Sequence, residues 1–126
     1  MDVHIAKLRE AIRYGESQFG DGMLSFGIYD ANTGLEIIAH NPRPQAGAAF
    51  SDLITTMNTK FAQADILPPI GDYYLVRLAE GRLAVVLCFS AVLQGLLLVD
   101  VSLVSIGAVV SMVIPRLLEL GRQAIA

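Results

Sequence analysis

The sequence predicts an α+β sandwich, one five-stranded antiparallel sheet between helices in the order α-β-β-α-β-β-β-α. Three observations carry that expectation. Apolar residues recur at helical spacing near the N-terminus, in the middle and near the C-terminus, and turn-punctuated strand pairs fill the gaps between them. The run from Leu83 to Phe89 is apolar on both of its faces, with Leu83, Val85, Leu87 and Phe89 on one side and Ala84, Val86 and Cys88 on the other. A strand of that kind needs cover on both faces of its sheet.

Taken in order, Asp2 can cap a first helix in which Ile5, Leu8 and Ile12 share a face and which Gly15 ends. Gly22 to Asp30 alternates, with Leu24, Phe26 and Ile28 on one face and Ser25, Gly27 and Tyr29 on the other. Asp30-Ala31-Asn32-Thr33-Gly34 then turns the chain into a second strand, Leu35 to His40. Pro42 and Pro44 lack the ladder donor, so the chain leaves the sheet there. A middle helix from about Gly47 to Asp65 carries Phe50, Leu53, Ile54, Met57 and Phe61 as one buried stripe, and Leu67-Pro68-Pro69-Ile70-Gly71 loops away from it.

Asp72 to Ala79 and Leu83 to Phe89 form a hairpin around Glu80-Gly81-Arg82, and Gln94 to Asp100 is the fifth strand. The last helix runs from about Ser102, capped by Asp100 or Ser102, to Leu120, where Gly121 stops it. Leu103, Ile106, Val110, Val113, Ile114 and Leu117 point inward, Val109 and Met112 outward, and Pro115 kinks the helix.

At 126 residues, the chain is read as one domain spanning residues 1–126. Hydrophobic residues make up 54% of it before its eleven glycines are counted, whereas ordinary domains reach roughly 45–50% with glycine included. Part of that excess belongs in an interface with another subunit or partner, because soluble monomers seldom leave large apolar patches bare. The nine basic residues are dispersed and the net charge is −3, which argues against nucleic acid. The lone Cys88 and an N-terminus without an apolar signal core lead to the expectation of a cytoplasmic protein. From Leu83 to Pro115 the only charge is Asp100, which leaves 17 residues before it and 14 between it and Pro115. Both runs are at or below the short end of a bilayer span, and two short strands followed by a helix fit the punctuation better.

The strand, turn and strand of FGIYDANTGLEIIAH, the hairpin YYLVRLAEGRLAVVLCF and the long apolar terminal helix together resemble the roadblock family of dynein light-chain homologues, across nearly the whole chain. The resemblance implies a roadblock/profilin-like sandwich with no cofactor, paired into a homodimer through the middle helix and the third strand. In this chain it assigns the dimer interface to Thr55, Thr59, Tyr73, Tyr74, Leu75, Val76 and Arg77. It also implies a non-enzymatic scaffold or regulator of a small Ras-like GTPase, with Ser51, Asp52, Asn58, Val109, Met112 and Arg116 as the partner surface. The Pro42 and Pro44 pair, the Pro68-Pro69 loop and Pro115 in the final helix depart from the family pattern beside that surface.

Chemistry of the chain's own is not expected. No G-x-x-x-x-G-K-[ST] loop exists to wrap phosphates. Arg43, Arg77 and Arg116 are the residues a finger-like role would need, and solvated surface arginine is the plainer reading of each. Cys88 with His4 or His40 would be a nucleophile and base, but cysteine inside an apolar strand is ordinarily an inert small hydrophobe. His4, His40, Asp30 and Asp72 lack metal-ligand spacing. Two other classes stay open at this point: a small-ligand sensor, which would need convergent polar groups in a cavity, and a membrane-associated subunit using the apolar run.

Overall fold

Local turn chemistry lays out the sheet. The computed structural model, which describes residues 2–125, has α1 at Ile5–Phe19, a 3₁₀ turn at Gly20–Gly22, β1 at Met23–Asp30, β2 at Glu36–His40 and α2 at Pro44–Ala62. Strands β3 (Tyr73–Leu78), β4 (Arg82–Cys88) and β5 (Leu93–Asp100) follow. The C-terminal helix has three parts: α3 at Ile106–Ala108, a π turn at Val109–Val113 and α4 at Ile114–Gln123. Asp30 Oδ1 accepts from the amides of Asn32 (2.8 Å) and Thr33 (3.2 Å), and Gly34 takes a positive φ of 73°, so the β1–β2 turn is built by the residues that announced it. Glu80 and Gly81, both at positive φ, close β3 onto β4.

The five strands form one antiparallel sheet in the order β2-β1-β5-β4-β3, leaving β2 and β3 as edges. Strand β4 has the two-sided burial its sequence implies. Leu83, Val85 and Leu87 join Phe26, Ile28, Leu97 and Val99 beneath α1 and α4, while Ala84 and Val86 join Tyr29 and Leu96 beneath α2. The expected sandwich and element order are therefore present. The apolar run from 83 to 115 divides into β4, β5 and the start of the C-terminal helix, and no helix among the described residues is long and apolar enough to cross a membrane.

Several expectations are corrected. Helix α1 starts after His4, not at Asp2, and runs through Gly15, which is buried because Met23 and Phe26 lie against its bare Cα. Ile5, expected inside, is 42% exposed. Leu24 leaves the Phe26–Ile28 face because the β1–β5 register shifts between Met23 and Ser25. Helix α2 starts three residues early, with Pro44 in its first turn, where a missing N–H costs nothing. Its buried positions are Gly47, Ser51 and Ile54; of the expected stripe Phe50, Met57 and Phe61 are half-buried and Leu53 is 40% exposed.

The C-terminal helix differs most. Asp100 caps a turn, with its Oδ1 accepting from Ser102 N (2.9 Å) and Ser102 Oγ (2.7 Å), while Ser105 caps the helix proper by accepting from Ala108 N at 3.3 Å. Leu103, expected in the core, is 63% exposed and Ile106 is 37% exposed, whereas Val109, expected outside, is fully buried. Leu103 lies in the turn before the helix begins, and for Ile106 and Val109 the π turn is the cause. A bond from Ile114 N to Val109 O spans five residues, so the buried face reads 117, 114, 113, 109 where a regular helix would continue to 110 and 106. Pro115 sits directly after this turn, so the bond that its ring cannot donate is absorbed by local rewinding. Gly121 does not stop the helix, which passes through it to Gln123.

Candidate functional site

Edge strand β3 is hydrogen-bonded to β4 on one side only. On the α2 face, Tyr74 and Val76 are half-buried, and on the other face Leu75 packs on the larger core. Helix α2 leans one flank toward this edge: the rings of Phe50 and Tyr74 lie 6.5 Å apart, and Tyr74 Oη donates to Phe50 O at 3.3 Å. Burial first, then the proximity of Cys88, raises the Tyr74 phenol to about 12. Leu53 and Met57, three and seven residues beyond Phe50, share that flank. The result is a continuous strip of apolar side chains, none fully covered, beside an unpaired backbone edge.

Thr55 and Thr59 do not join it. They stand on the far side of α2, with Thr55 Oγ1 donating to Ser51 O at 3.2 Å and Thr59 Oγ1 donating to Thr55 O at 2.9 Å. Tyr73 and Arg77 are exposed on β3, and Tyr73 borders a groove of about 690 Å³ shared with Val110, Ile114, Pro115 and Leu118 of the C-terminal helix.

The residues expected to form one partner surface are divided between the two faces of the sheet. Asp52 is exposed on α2, whereas Met112, 61% exposed, and Arg116, paired to Glu119 at 3.0 Å, belong to the helix on the opposite face. Ser51 is 8% exposed and Val109 fully buried. Arg43 and Arg77 are both exposed. Cys88 lies in β4, and His40 lies in β2 with its Nδ1 against Glu16 at 2.9 Å, so β1 and β5 separate the thiol from that imidazole. Burial pushes the Cys88 thiol above its ordinary range, the charge of Asp72 adds to this and that of Arg122 opposes it. Among the described residues no three His, Cys, Asp or Glu side chains gather as metal ligands do.

Sequence reasoning missed a cleft of about 430 Å³ on the far flank of α2. Its walls are α2, the loop at 70–71, the β4–β5 turn, the β1–β2 turn and, from the other layer, the Arg122 side chain. Gln94, only 6% exposed, forms its floor, with Oε1 accepting from Tyr29 Oη at 3.3 Å. Asn58 Oδ1 accepts from Ile70 N at 2.7 Å, which fastens the α2–β3 loop to the helix. Arg122 reaches round the sheet end, its Nε donating to Phe89 O (3.3 Å) and its Nη2 to Asp72 Oδ1 (2.7 Å) and Cys88 O (3.4 Å). These groups come from separate elements, so no local spacing in the sequence foreshadows them.

No protein-family model matches the chain, and no curated protein matches it. Solved structures do. It superposes on MglB of Myxococcus xanthus with a TM-score of 0.75 at 11% identity, over 94% of this chain and 86% of that one. The Roadblock/LC7 domain from Streptomyces avermitilis gives 0.57 at 16% identity, over 81% and 84%. An MglB with a tetrameric arrangement gives 0.69 at 10% identity, over 97% and 92%. At these identities the likeness establishes the fold.

Proposed function

We propose that this chain, whose fold is that of the roadblock proteins, is a non-catalytic, self-pairing adaptor that docks a small Ras-like GTPase. The observation that supports it best is the open edge of β3 beside the uncovered flank of α2, carrying Phe50, Leu53 and Met57. A bare edge next to exposed apolar side chains invites addition of another strand, and a second copy related by a two-fold axis supplies the same strand and the same flank. The tetrameric arrangement of a related-fold MglB is in keeping with self-association. The docking half of the proposal draws on the roadblock resemblance, and Asp52 on exposed α2 is the residue chosen to probe it.

The first test is light scattering. Wild-type protein should run as a dimer and Leu53→Glu as a monomer, since a carboxylate in a paired apolar strip is buried without a partner; a monomeric wild type would reject the pairing. The second is titration with a purified Ras-like GTPase of the same organism, loaded with GDP or a GTP analogue. Binding to one nucleotide state, weakened about tenfold by Asp52→Lys through like-charge or lost-pair effects, is the expected result; no binding in either state rejects docking and leaves pairing standing.

A further inference from the structure

The cleft on the far flank of α2 has an uneven balance of hydrogen-bonding groups. Three of its side-chain acceptors are already engaged, Gln94 Oε1 by Tyr29, Asn58 Oδ1 by the amide of Ile70, and Ser90 Oγ by the amides of Val92 (3.2 Å) and Leu93 (3.1 Å), while the Ser51 and Thr55 hydroxyls spend their hydrogens on backbone carbonyls and Asn32 Oδ1 stays open at the rim. Its other donors are left over. Among the described residues no protein acceptor meets Gln94 Nε2, Asn58 Nδ2, the Ser90 hydroxyl hydrogen, Asn32 Nδ2 or Arg122 Nη1, although all five residues line the cleft.

Gln94 is the informative member. Its side chain is more than nine-tenths buried, yet no buried side-chain polar atom among the described residues lacks a partner, so the amide nitrogen opens into the cleft. A buried amide normally has its bonding capacity satisfied, and here the remaining donor can be met only by something that enters. No carboxylate is part of the lining; Asp72 stands outside it, holding the far side of Arg122 in an ion pair with side chains 45% and 62% exposed. That pair and the two backbone carbonyls fix the guanidinium in place and leave Nη1 directed away from them. Ile54 and Ile70 supply apolar lining beside the donors.

From this we infer that the cleft binds a small organic monocarboxylate, its oxygens within reach of Arg122 and the side-chain amides of Gln94, Asn58 and, at the rim, Asn32, and its apolar body against Ile54 and Ile70. A carboxylate presents acceptors only, the complement of the unpaired donors of Gln94, Asn58 and Arg122, and charge-assisted bonds to guanidinium are the stronger kind. The volume is within the range of small-molecule sites. The α2 residues of the cleft face away from Phe50, Leu53 and Met57, while its wall at Ile70 and Gly71 leads into β3; the inference rests on the lining itself and invokes neither self-pairing nor a GTPase.

The experiment is a ¹⁵N–¹H titration of the intact protein with benzoate, in parallel with benzyl alcohol, which keeps the ring and drops the carboxylate, and inorganic phosphate, which keeps the charge and drops the ring. Saturable shifts of the Gln94 and Asn58 side-chain amide signals with benzoate, at least about tenfold weaker in Arg122→Gln, and a few-fold weaker in Asn32→Ala, are the supporting result. Asn32 sits in an exposed turn, so that variant keeps the inference testable if loss of Arg122 unfolds the chain. Absence of saturation with benzoate, equal response to benzyl alcohol or phosphate, or indifference to both substitutions overturns it.

Discussion

Replacing Gly121 by alanine separates two readings of one residue. Were it an ordinary helix glycine, alanine would stabilise by about 1 kcal/mol through propensity and a less free unfolded chain. Gly121 is instead buried inside α4, and a Cβ built there collides with three atoms of the Phe89 ring, which is itself 3% exposed. The ring has no retreat: on its other side lies Gly95 of β5, where an added Cβ would already be 3.1 Å from Phe89 Cε2. Carbon atoms at rest prefer about 3.5–4.0 Å, so either α4 lifts from the sheet or the ring leaves its rotamer. Overpacking of this severity reaches the upper part of the usual 1–3 kcal/mol range, roughly 3 kcal/mol. Subtracting the roughly 1 kcal/mol helix gain leaves Gly121→Ala destabilised by about 2 kcal/mol, a fall in melting temperature of roughly 6–10 °C for a chain of this size.

Urea unfolding followed by circular dichroism, at fixed protomer concentration because pairing would add a mass-action term, measures the change. The control is the same substitution in a Phe89→Ala background, where all of the colliding ring atoms are gone. There alanine should be neutral or stabilising, and the difference between backgrounds should exceed about 2 kcal/mol. A stabilised single mutant, or strict additivity with Phe89→Ala, would refute the steric account.

Two titrations test the electrostatic assignments. Burial raises the Cys88 thiol above its reference value of 9.0, so the pH dependence of its alkylation by iodoacetamide should have an inflection more alkaline than that of free cysteine; an inflection at or below the free value contradicts the burial. Hydrogen bonds from Ser102, then the charge of Arg82 at 3.6 Å, hold Asp100 below its reference value of 3.8. A depressed acid stabilises the fold above its unfolded pKa and loses that contribution as pH falls through the folded one. The gap in urea midpoint between wild type and Asp100→Asn should therefore be open at neutral pH and close below about pH 4; a gap independent of pH would mean that the carboxylate charge is immaterial.

Strands and turns were legible in the sequence because each is decided by neighbours: Asp30 and Gly34 build their own turn, and the two-sided apolarity of β4 already implies cover on both faces. Helix ends were not, and the two glycines explain why. Gly15 and Gly121 read locally as stops, but each lies inside a helix as a flat seat for an aromatic ring, Phe26 of β1 in one case and Phe89 just after β4 in the other, a relation made only once the layers pack. Val109 was misplaced because extrapolating a 3.6-residue period assumes regular winding, and the π turn before Pro115 advances the buried face by one position. The cleft was illegible for a further reason. Gln94 looks like strand punctuation in sequence, and its significance depends on Tyr29 occupying one end of the amide while an opening to solvent receives the other.

Helix α2 is where packing and proposed function meet. The opposite sheet face holds a broad core beneath α1 and α4, whereas α2 buries only Gly47, Ser51 and Ile54, two of them nearly without apolar side chain. Little apolar area fastens it, so by itself it should open at a free energy well below that of global unfolding. If a second copy covers the flank of Phe50, Leu53 and Met57, the missing burial is supplied by association and the protection of α2 depends on protomer concentration. Raising the concentration from the dissociation constant to a hundredfold above it should add about 2 kcal/mol to the protection of α2 amides against hydrogen exchange, while amides of α1 and α4 in the intact fold change less. Mass spectrometry of exchanged peptides across a dilution series reads this directly. Equal concentration dependence in all helices would assign pairing to the stability of the whole fold, and no dependence in α2 across a range where light scattering sees dimers dissociate would place the second copy elsewhere.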